Sequence, residues 1–227
     1  IKECDWSSDV CSSDLGELMG AARNGGMAAV IGPDEQTLAA LLREAGLHEI
    51  DLANFNTLTQ TVIAGPQDAI ARAEQMLLAR DLRCVVLNVS AAFHSRYMHD
   101  AQLAFEGFLR RHRVEAPRIP VIANATARPY RANEVVETLA RQIGQAVRWT
   151  DCVRCLMGLG CTEFVEIGGT SLTKMVDQIR STATPLVPEE APAPARSPVM
   201  AAAQGEPVDR KSTRLNSSHI PLSRMPS

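Results

Sequence analysis

The sequence lacks a long apolar run, an excess of basic charge and an export signal. No stretch approaches the roughly eighteen apolar residues that a membrane-spanning helix needs, so we expect no membrane partner. The formal net charge is −3, which argues against nucleic acid as a partner because nucleic-acid-binding proteins usually present a basic face. Few cysteines and no signal-peptide pattern lead us to expect a cytoplasmic protein.

Metal ligands are also scarce. The pair Cys152-x-x-Cys155 has the spacing of half a zinc site, but no second cysteine pair and no His-x-His cluster completes it. The surrounding residues 150–157 have the apolar period of an amphipathic helix, on which both thiols would share one face. We therefore interpret both cysteines as structural and expect no bound metal.

Two terminal segments have the sequence of a translated sequencing adapter. Residues 5–15 and 209–219 correspond to opposite strands of one oligonucleotide. Because two unrelated peptides seldom derive from one oligonucleotide by chance, we expect residues 1–15 and 209–227 to be artefacts and exclude them from the interpretation of the fold. The protein proper is then expected at 16–208, open at both ends.

The next residues alternate between strand and helix patterns. The short apolar runs that predict strands are 26–31, 49–53, 60–64 and 84–87. Asp34 is placed to cap a helix that Gly46 ends, and Pro66 opens a second helix at its first turn. The resulting order, βαββαβ, predicts a ferredoxin-like unit over residues 26–88.

Further α/β units are predicted on both sides of this unit. Residues 16–25 have the pattern of the end of a helix, and residues 89–182 alternate between helix and strand patterns. The predicted helices there begin near 96, 133, 150 and 172, and the predicted strands are 120–124 and 163–167. Residues 183–208 are rich in Pro and Ala, which favours an extended linker to a further domain, with a disordered C-terminal tail as the alternative.

Three segments match a known family in content and order. They are Asn54-Phe-Asn-Thr-Leu-Thr-Gln-Thr-Val-Ile-Ala-Gly65, Ala-Ala-Phe-His-Ser-Arg-Tyr-Met at 91–98, and Ala146-Val-Arg-Trp149. With them, residues 16–182 resemble the malonyl-CoA:acyl carrier protein transacylase family. The resemblance implies an α/β fold with an α/β-hydrolase-like large subdomain, whose N-terminal part is missing here, and an inserted ferredoxin-like small subdomain. The implied ferredoxin-like small subdomain agrees with the βαββαβ pattern.

The resemblance assigns catalysis to one histidine. His94 matches the family's general base, which takes a proton from a serine nucleophile and returns it to the departing thiol of coenzyme A. Gln142 matches a position whose main-chain carbonyl orients that histidine, with Gln145 as the alternative register. The histidines without such a context, which we predict to lie on the surface, are His48, His99 and His112.

Four further residues match family positions near the substrate. Phe93 resembles the form associated with malonyl selectivity, where a bulky ring disfavours an α-methyl branch by about 1–3 kcal/mol. The alternative role for Phe93 is core packing. Asn54, Asn56 and Gln60 fit a pattern that would either hydrogen-bond the acyl group or hold the turn between two strands, and the turn is slightly favoured.

The chain departs from the family pattern in three places. It lacks the Gly-His-Ser-x-Gly turn that carries the nucleophile. The position of the arginine that pairs with the malonyl carboxylate is occupied by Leu15, within the adapter-derived segment. Gly168-Gly169-Thr170 stands where the family commonly has Gly-Pro-Gly. We therefore expect this fragment to be inactive by itself.

The resemblance still implies the activity of the parent protein. A malonyl group would pass from malonyl-CoA, through a serine ester, to the phosphopantetheine thiol of an acyl carrier protein, in fatty acid or polyketide biosynthesis and without a tightly bound cofactor. Two alternatives stay open. One is an acyl hydrolase of the same fold, which would lack the arginine, and the other is a non-catalytic domain that docks the carrier protein.

Overall fold

Two helices cover one face of a four-stranded antiparallel sheet in the first half of the described chain. The computed structural model describes residues 24–187. The elements of this half are β1 (Gly25–Ile31), α1 (Glu35–Glu44), β2 (Asp51–Thr57), β3 (Gln60–Pro66), α2 (Gln67–Leu78) and β4 (Arg83–Val86). The strands lie in the order β2-β3-β1-β4, and each neighbouring pair is antiparallel.

Local sequence signals set the bounds of α1. The Oδ1 atom of Asp34 accepts a hydrogen bond of 2.8 Å from the main-chain N–H of Thr37, which satisfies one of the free donors at the helix N-terminus. Gly46 follows the helix with φ of +71°, a left-handed conformation that glycine adopts without strain. Both helices contribute to an apolar core against the sheet, which consists of Ala28, Val30, Leu38, Leu42, Leu47, Ile50, Ile63, Ala69, Ile70, Ala73, Leu77 and Cys84.

The opposite face of the sheet packs against the segment that follows β4. We call this second apolar group the sheet-face cluster; it contains Met27, Ala53, Val62, Ala64 and Ala92, with Ala29, Leu87 and Phe93 partly buried against it. The approach is tightest at Gly25, where an added Cβ would lie 2.2 Å from the main-chain nitrogen of Ala92. A side chain at Gly25 would therefore push residues 91–93 away from the sheet.

The second half of the described chain is mainly helical. Its elements are a 3₁₀ turn (Arg96–Met98), α3 (His99–Leu109), β5 (Ile122–Ala123), β6 (Arg128–Pro129), α4 (Val135–Gly144), α5 (Trp149–Gly158) and α6 (Ser171–Thr182). Helices α3 and α4 pack through Ala101 and Ile143, and α5 packs on α6 through Val153, Val176 and Ile179.

Strand β2 joins the two halves. The main-chain N–H of Val147 donates to the carbonyl of Ala53, and the N–H of Phe55 donates to the carbonyl of Val147, both at 2.8 Å. The hydroxyl of Thr150 adds a hydrogen bond of 3.1 Å to the carbonyl of Phe55. The start of α5 is thereby attached to the outer edge of the sheet.

Two predicted strands differ from the structure. The strand predicted at 120–124 is reduced to the two residues of β5. The strand predicted at 163–167 is absent, and the side chains of Val165 and Ile167 are 78% and 95% exposed. A strand forms when a neighbour satisfies its N–H and C=O groups, and no strand of the described chain pairs with these residues.

Several predictions concern residues that the structure does not describe. These are the expected artefacts at 1–15 and 209–227, nearly all of the helix end at 16–25, and most of the linker at 183–208. Where the linker is described, it contacts α5. The N–H of Leu186 donates to the carbonyl of Arg154 at 2.9 Å, and the Nε of Arg154 donates to the carbonyl of Thr184 at 2.8 Å.

The helices found between residues 24 and 187 are short. The longest of them, α2 and α6, have 12 residues each. No helix in this part of the chain combines the length and the hydropathy needed to cross a bilayer.

Candidate active site

His94 occupies a tight turn in front of the 3₁₀ turn. Its φ is +57°, a left-handed conformation that costs a non-glycine residue about 1 kcal/mol, so the surroundings must hold it. The hydroxyl of Ser95 donates to the carbonyl of Ala92 at 2.5 Å and accepts from the N–H of Tyr97 at 3.3 Å. Met98, which is fully buried, anchors the following residues. The turn is therefore fixed on both sides of the histidine.

The imidazole ring of His94 contacts the C-terminal turn of α4. Its Nδ1 atom lies 2.9 Å from the main-chain carbonyl oxygen of Gln142. The last carbonyls of a helix lack partners inside it and carry the negative end of its dipole. Since a carbonyl only accepts hydrogen bonds, Nδ1 carries the hydrogen and Nε2 keeps its lone pair. This geometry presents Nε2 as a proton acceptor.

Two opposing influences act on the pKa of His94. Burial of the ring is the larger one and lowers the pKa below its ordinary value of 6.5, because the charged form loses hydration. The main-chain carbonyl of Gln142 and, as a smaller contribution, that of Gln145 raise the pKa and so act in the opposite direction. The lowered pKa keeps the imidazole neutral near pH 7, which is the form that accepts a proton.

Phe93 lies between two apolar clusters. Its half-buried ring packs against the sheet-face cluster and against a further group made of Ala91, Met98, Ala101 and Ile143. Core packing is therefore a role that Phe93 fulfils in the structure, and its part in malonyl selectivity stays a prediction.

The three polar residues predicted near the substrate lie on β2 and β3. Asn54 pairs with Val62 next to a β-bulge, and directly opposed residues project to the same face of a sheet. Gln60, two residues before Val62, shares that face, which is the one that carries the sheet-face cluster. Asn56 is half-buried on β2. Within residues 24–187, none of these three side chains is hydrogen-bonded to His94.

The buried cysteines of α5 have the character of core residues. Cys152 and Cys155 are both buried, and burial raises the pKa of Cys152 to about 12 and also raises that of Cys155. Thiolates rather than thiols bind metals, so these pKa shifts disfavour ligation. Between residues 24 and 187, no group of three or more His, Cys, Asp or Glu residues is placed to hold a metal ion.

Sequence reasoning missed one charged pair beside the histidine. The carboxylate of Asp51 accepts hydrogen bonds from both the main chain and the guanidinium group of Arg96. The two residues are 45 positions apart, and no helical or strand period connects them. Nothing in the linear sequence could have identified this contact.

Comparison with known proteins identifies the family. A family model described as "Acyl transferase domain" matches residues 15–195. The chain belongs to this acyl transferase family. The family resemblance predicted from the three sequence segments is thereby confirmed, and so is the expectation of an acyltransferase related to malonyl transacylases.

Three relatives of this acyl transferase domain show how far the similarity extends. Polyketide biosynthesis protein ThaF of Burkholderia thailandensis is 52% identical over 166 residues, which is 72% of this chain and 14% of ThaF. The polyketide biosynthesis malonyl CoA-acyl carrier protein transacylase PksC of Bacillus subtilis is 44% identical over 171 residues, which is 74% of this chain and 59% of PksC. The crystal structure of malonyl CoA-acyl carrier protein transacylase from Burkholderia pseudomallei superimposes with a TM-score of 0.76 at 40% identity, over 79% of this chain and 64% of that one.

The α/β fold of the acyl transferase domain therefore matches that of a solved malonyl transacylase. The chain spans less than two thirds of the length of each of these three relatives.

Proposed function

We propose that this chain is part of an acyl-carrier-protein S-malonyltransferase. Such an enzyme moves a malonyl group from malonyl-CoA to the phosphopantetheine thiol of an acyl carrier protein, in fatty acid or polyketide biosynthesis. The observation that carries the proposal is the contact between His94 Nδ1 and the Gln142 carbonyl, because it fixes the tautomer in which Nε2 accepts a proton. The similarity to PksC and to the solved Burkholderia transacylase, both malonyl CoA-acyl carrier protein transacylases, supports the same reaction.

In this proposal His94 is the general acid–base. Its Nε2 takes the proton of a serine hydroxyl while the serine oxygen attacks the thioester carbon of malonyl-CoA. The C–S bond then breaks, and the imidazolium returns the proton to the sulfur of coenzyme A. In the second half-reaction Nε2 takes the proton of the carrier-protein thiol, the thiolate attacks the serine ester, and the proton returns to the serine oxygen.

The C-terminal end of α4 has a defined role in both half-reactions. Each of them passes through an imidazolium form of His94, and the partial negative charge of the Gln142 carbonyl stabilises that form. Burial works against the imidazolium at rest, which keeps the base unprotonated until the hydroxyl or the thiol releases its proton.

We place the substrate against the sheet-face side of β2 and β3. Asn54, Asn56 and Gln60 supply amide groups for the acyl chain or hold the hairpin that faces it. The ring of Phe93, next to the base, leaves little room for an α-methyl branch, which favours malonate over methylmalonate by about 1–3 kcal/mol.

The proposed organisation follows the family. Residues 26–88 are the inserted ferredoxin-like subdomain, and residues 89–182 are the C-terminal part of an α/β-hydrolase-like subdomain. The match covers 59% of PksC, which is compatible with a parent protein longer than this chain. Residues 183–208 then lead to a further domain. We expect no malonate transfer by the chain alone, because residues 1–227 contain no Gly-His-Ser-x-Gly turn.

The decisive experiment starts from the gene. The uninterrupted reading frame upstream of residue 16 is sequenced and the whole protein is expressed, and radiolabelled malonyl transfer from malonyl-CoA to a phosphopantetheinylated carrier protein is measured. We expect a Gly-His-Ser-x-Gly turn, an arginine at the position of Leu15, and a loss of about 10²–10⁴-fold in kcat for His94→Gln. The matched control, His112→Gln, changes an exposed histidine and should leave the rate unaltered.

Two other outcomes would overturn the malonyltransferase, and a third would overturn the role of His94. Hydrolysis of acyl carrier thioesters without transfer would identify the hydrolase. Binding of the carrier protein by a whole protein that lacks the serine would identify a docking domain. Full transfer activity in His94→Gln would exclude this histidine as the base.

A further inference from the structure

The residues that follow His94 are attached to the sheet by two side chains. Arg96 contacts Asp51, the first residue of β2, and the hydroxyl of Tyr97 donates to the main-chain carbonyl of Glu49 at 2.8 Å. Both contacts link the histidine turn to the segment that enters β2, more than forty residues earlier in the chain. The turn is therefore held by contacts with the segment that enters β2 as well as by Ser95.

The contact between Arg96 and Asp51 differs from an ordinary surface ion pair. One carboxylate oxygen of Asp51 accepts from the main-chain N–H of Arg96 at 2.8 Å, and the side-chain Nε lies 2.9 Å from one carboxylate oxygen and 3.0 Å from the other. The Nη2 group adds a further contact to the same carboxylate. The side chain of Asp51 is only 19% exposed. An exposed pair that joins two long side chains leaves the backbone free, whereas this one fixes the backbone of residue 96.

Fixing residue 96 matters because of the conformation at residue 94. A φ of +57° at His94 is unfavourable for a histidine, so a free turn would relax toward negative φ. Such a relaxation would rotate the imidazole and carry Nδ1 away from the carbonyl of Gln142. The N–H of Arg96 lies only two residues away, so a carboxylate that holds it opposes this rotation.

We propose that Asp51 and Arg96 are positioning residues that hold the turn of His94 against β2 and thereby keep its Nδ1 on the carbonyl of Gln142. Neither residue touches the reacting atoms. The catalytic consequence rests on the proposed role of His94 as the base, whereas the positioning itself does not. Tyr97 has a supporting role through the carbonyl of Glu49.

The test measures the accessibility of the His94 ring in the 227-residue chain. Diethyl pyrocarbonate modifies neutral imidazole, and tandem mass spectrometry gives its rate separately for each histidine. In Asp51→Ala we expect the rate at His94 to rise at least about fivefold, because the turn opens locally, while the exposed His48 and His112 serve as internal references. Arg96→Ala keeps its main-chain N–H on Asp51 and should give a smaller increase. Asp51→Asn keeps one acceptor for the N–H of Arg96 and should give a smaller increase.

The matched control removes a neighbouring ion pair that does not reach the turn. Arg72 pairs with the side chain of Glu49, and Arg72→Ala should leave the His94 rate within about twofold of that of the unaltered chain. The pH profile, measured on variants that urea unfolding shows to be folded, provides a second readout. When the ring gains water, its apparent pKa rises toward 6.5, because burial is the main cause of its depression.

The proposal fails if the rate and the pH profile of His94 in all three variants equal those in Arg72→Ala. The three variants are Asp51→Asn, Asp51→Ala and Arg96→Ala. Tyr97→Phe, a mild change that removes one hydroxyl, covers the case in which an alanine variant does not fold, and it too should accelerate modification. The rates of histidine modification are measured without any catalytic turnover. A failure of the malonyltransferase proposal would leave them unchanged, so the two results are separable.

Discussion

The Nδ1 atom of His94 and the main-chain oxygen of Gln142 lie 2.9 Å apart, although 48 residues separate them in the chain. In serine–histidine catalytic sites, an aspartate side chain commonly occupies the position that this carbonyl has here. The C-terminal end of α4 supplies partial negative charge there instead of a full carboxylate. It orients the ring and fixes the tautomer without burying an ion, which would carry a large desolvation cost.

The first prediction concerns the side chain of Gln142. Gln142→Ala should leave the pKa of His94 unchanged, because the acceptor is a main-chain atom and alanine suits the end of a helix. Titration of the histidine Cε1–H signals by NMR measures this directly. A clear shift for the His94 signal would show that the amide side chain, rather than the carbonyl, orients the ring.

The second prediction concerns stability at acidic pH. Because the pKa of His94 is lower in the folded chain than its ordinary 6.5, the unfolded chain binds more protons between the two values. The free energy of unfolding should therefore fall as the pH drops below about 6.5 and should level off below the folded pKa.

The matched variants for this prediction are His94→Gln and His48→Gln. The first should flatten that part of the stability profile, while the second, at an exposed position, should change its shape less. Urea unfolding at several pH values provides the measurement. Equal slopes in His94→Gln and the unaltered chain would contradict the lowered pKa.

The third prediction concerns the close approach at Gly25. Gly25→Ala should lower the free energy of unfolding by about 1–3 kcal/mol, because its Cβ would lie 2.2 Å from the main-chain nitrogen of Ala92. Gly107→Ala is the matched control. That glycine lies within α3 with nothing within 4 Å of an added Cβ, so the exchange should stabilise by about 0.5–1 kcal/mol. Urea midpoints that do not differ between the two variants would argue against the packing at Gly25.

The fourth prediction concerns thiol reactivity. Cys161 is exposed, whereas burial raises the pKa of Cys84 to about 11 and that of Cys152 to about 12. Iodoacetamide at pH 8 should therefore alkylate Cys161 at least about tenfold faster than either buried cysteine. Peptide mapping by mass spectrometry gives the rates, and the same experiment in urea should abolish the difference. Fast alkylation of Cys152 under native conditions would show that α5 is less well packed than described.

Much of the first half of the fold could be predicted from local patterns. Apolar runs, the cap at Asp34 and the glycine at position 46 act over a few residues, so the sequence indicates where α1 and the strands of the sheet lie. The prediction of a strand at 163–167 was wrong because it depends on contacts that are not local. Its apolar residues are compatible with a strand, but a strand depends on a pairing partner, and partners are a property of the whole fold.

In the candidate site, too, local features could be predicted from the sequence and long-range contacts could not. The motif that marks His94 as a candidate is local, whereas the contact of its ring with the carbonyl of Gln142 depends on where α4 ends in space. The pair of Asp51 and Arg96 could not be predicted at all, because opposite charges far apart in sequence occur in every soluble chain and only the path of the backbone selects which of them meet.

The main-chain acceptor for His94 also decides how this site would respond to mutation. All twenty residue types carry the same main-chain carbonyl, so no substitution at position 142 removes this oxygen. A scan of single substitutions would then rate the position as tolerant, while the changes that do remove the acceptor, such as those that bend the last turn of α4, would be scored as folding defects. Genetic screens would therefore overlook the group that orients the His94 ring, and only a measurement on the imidazole itself would reveal it.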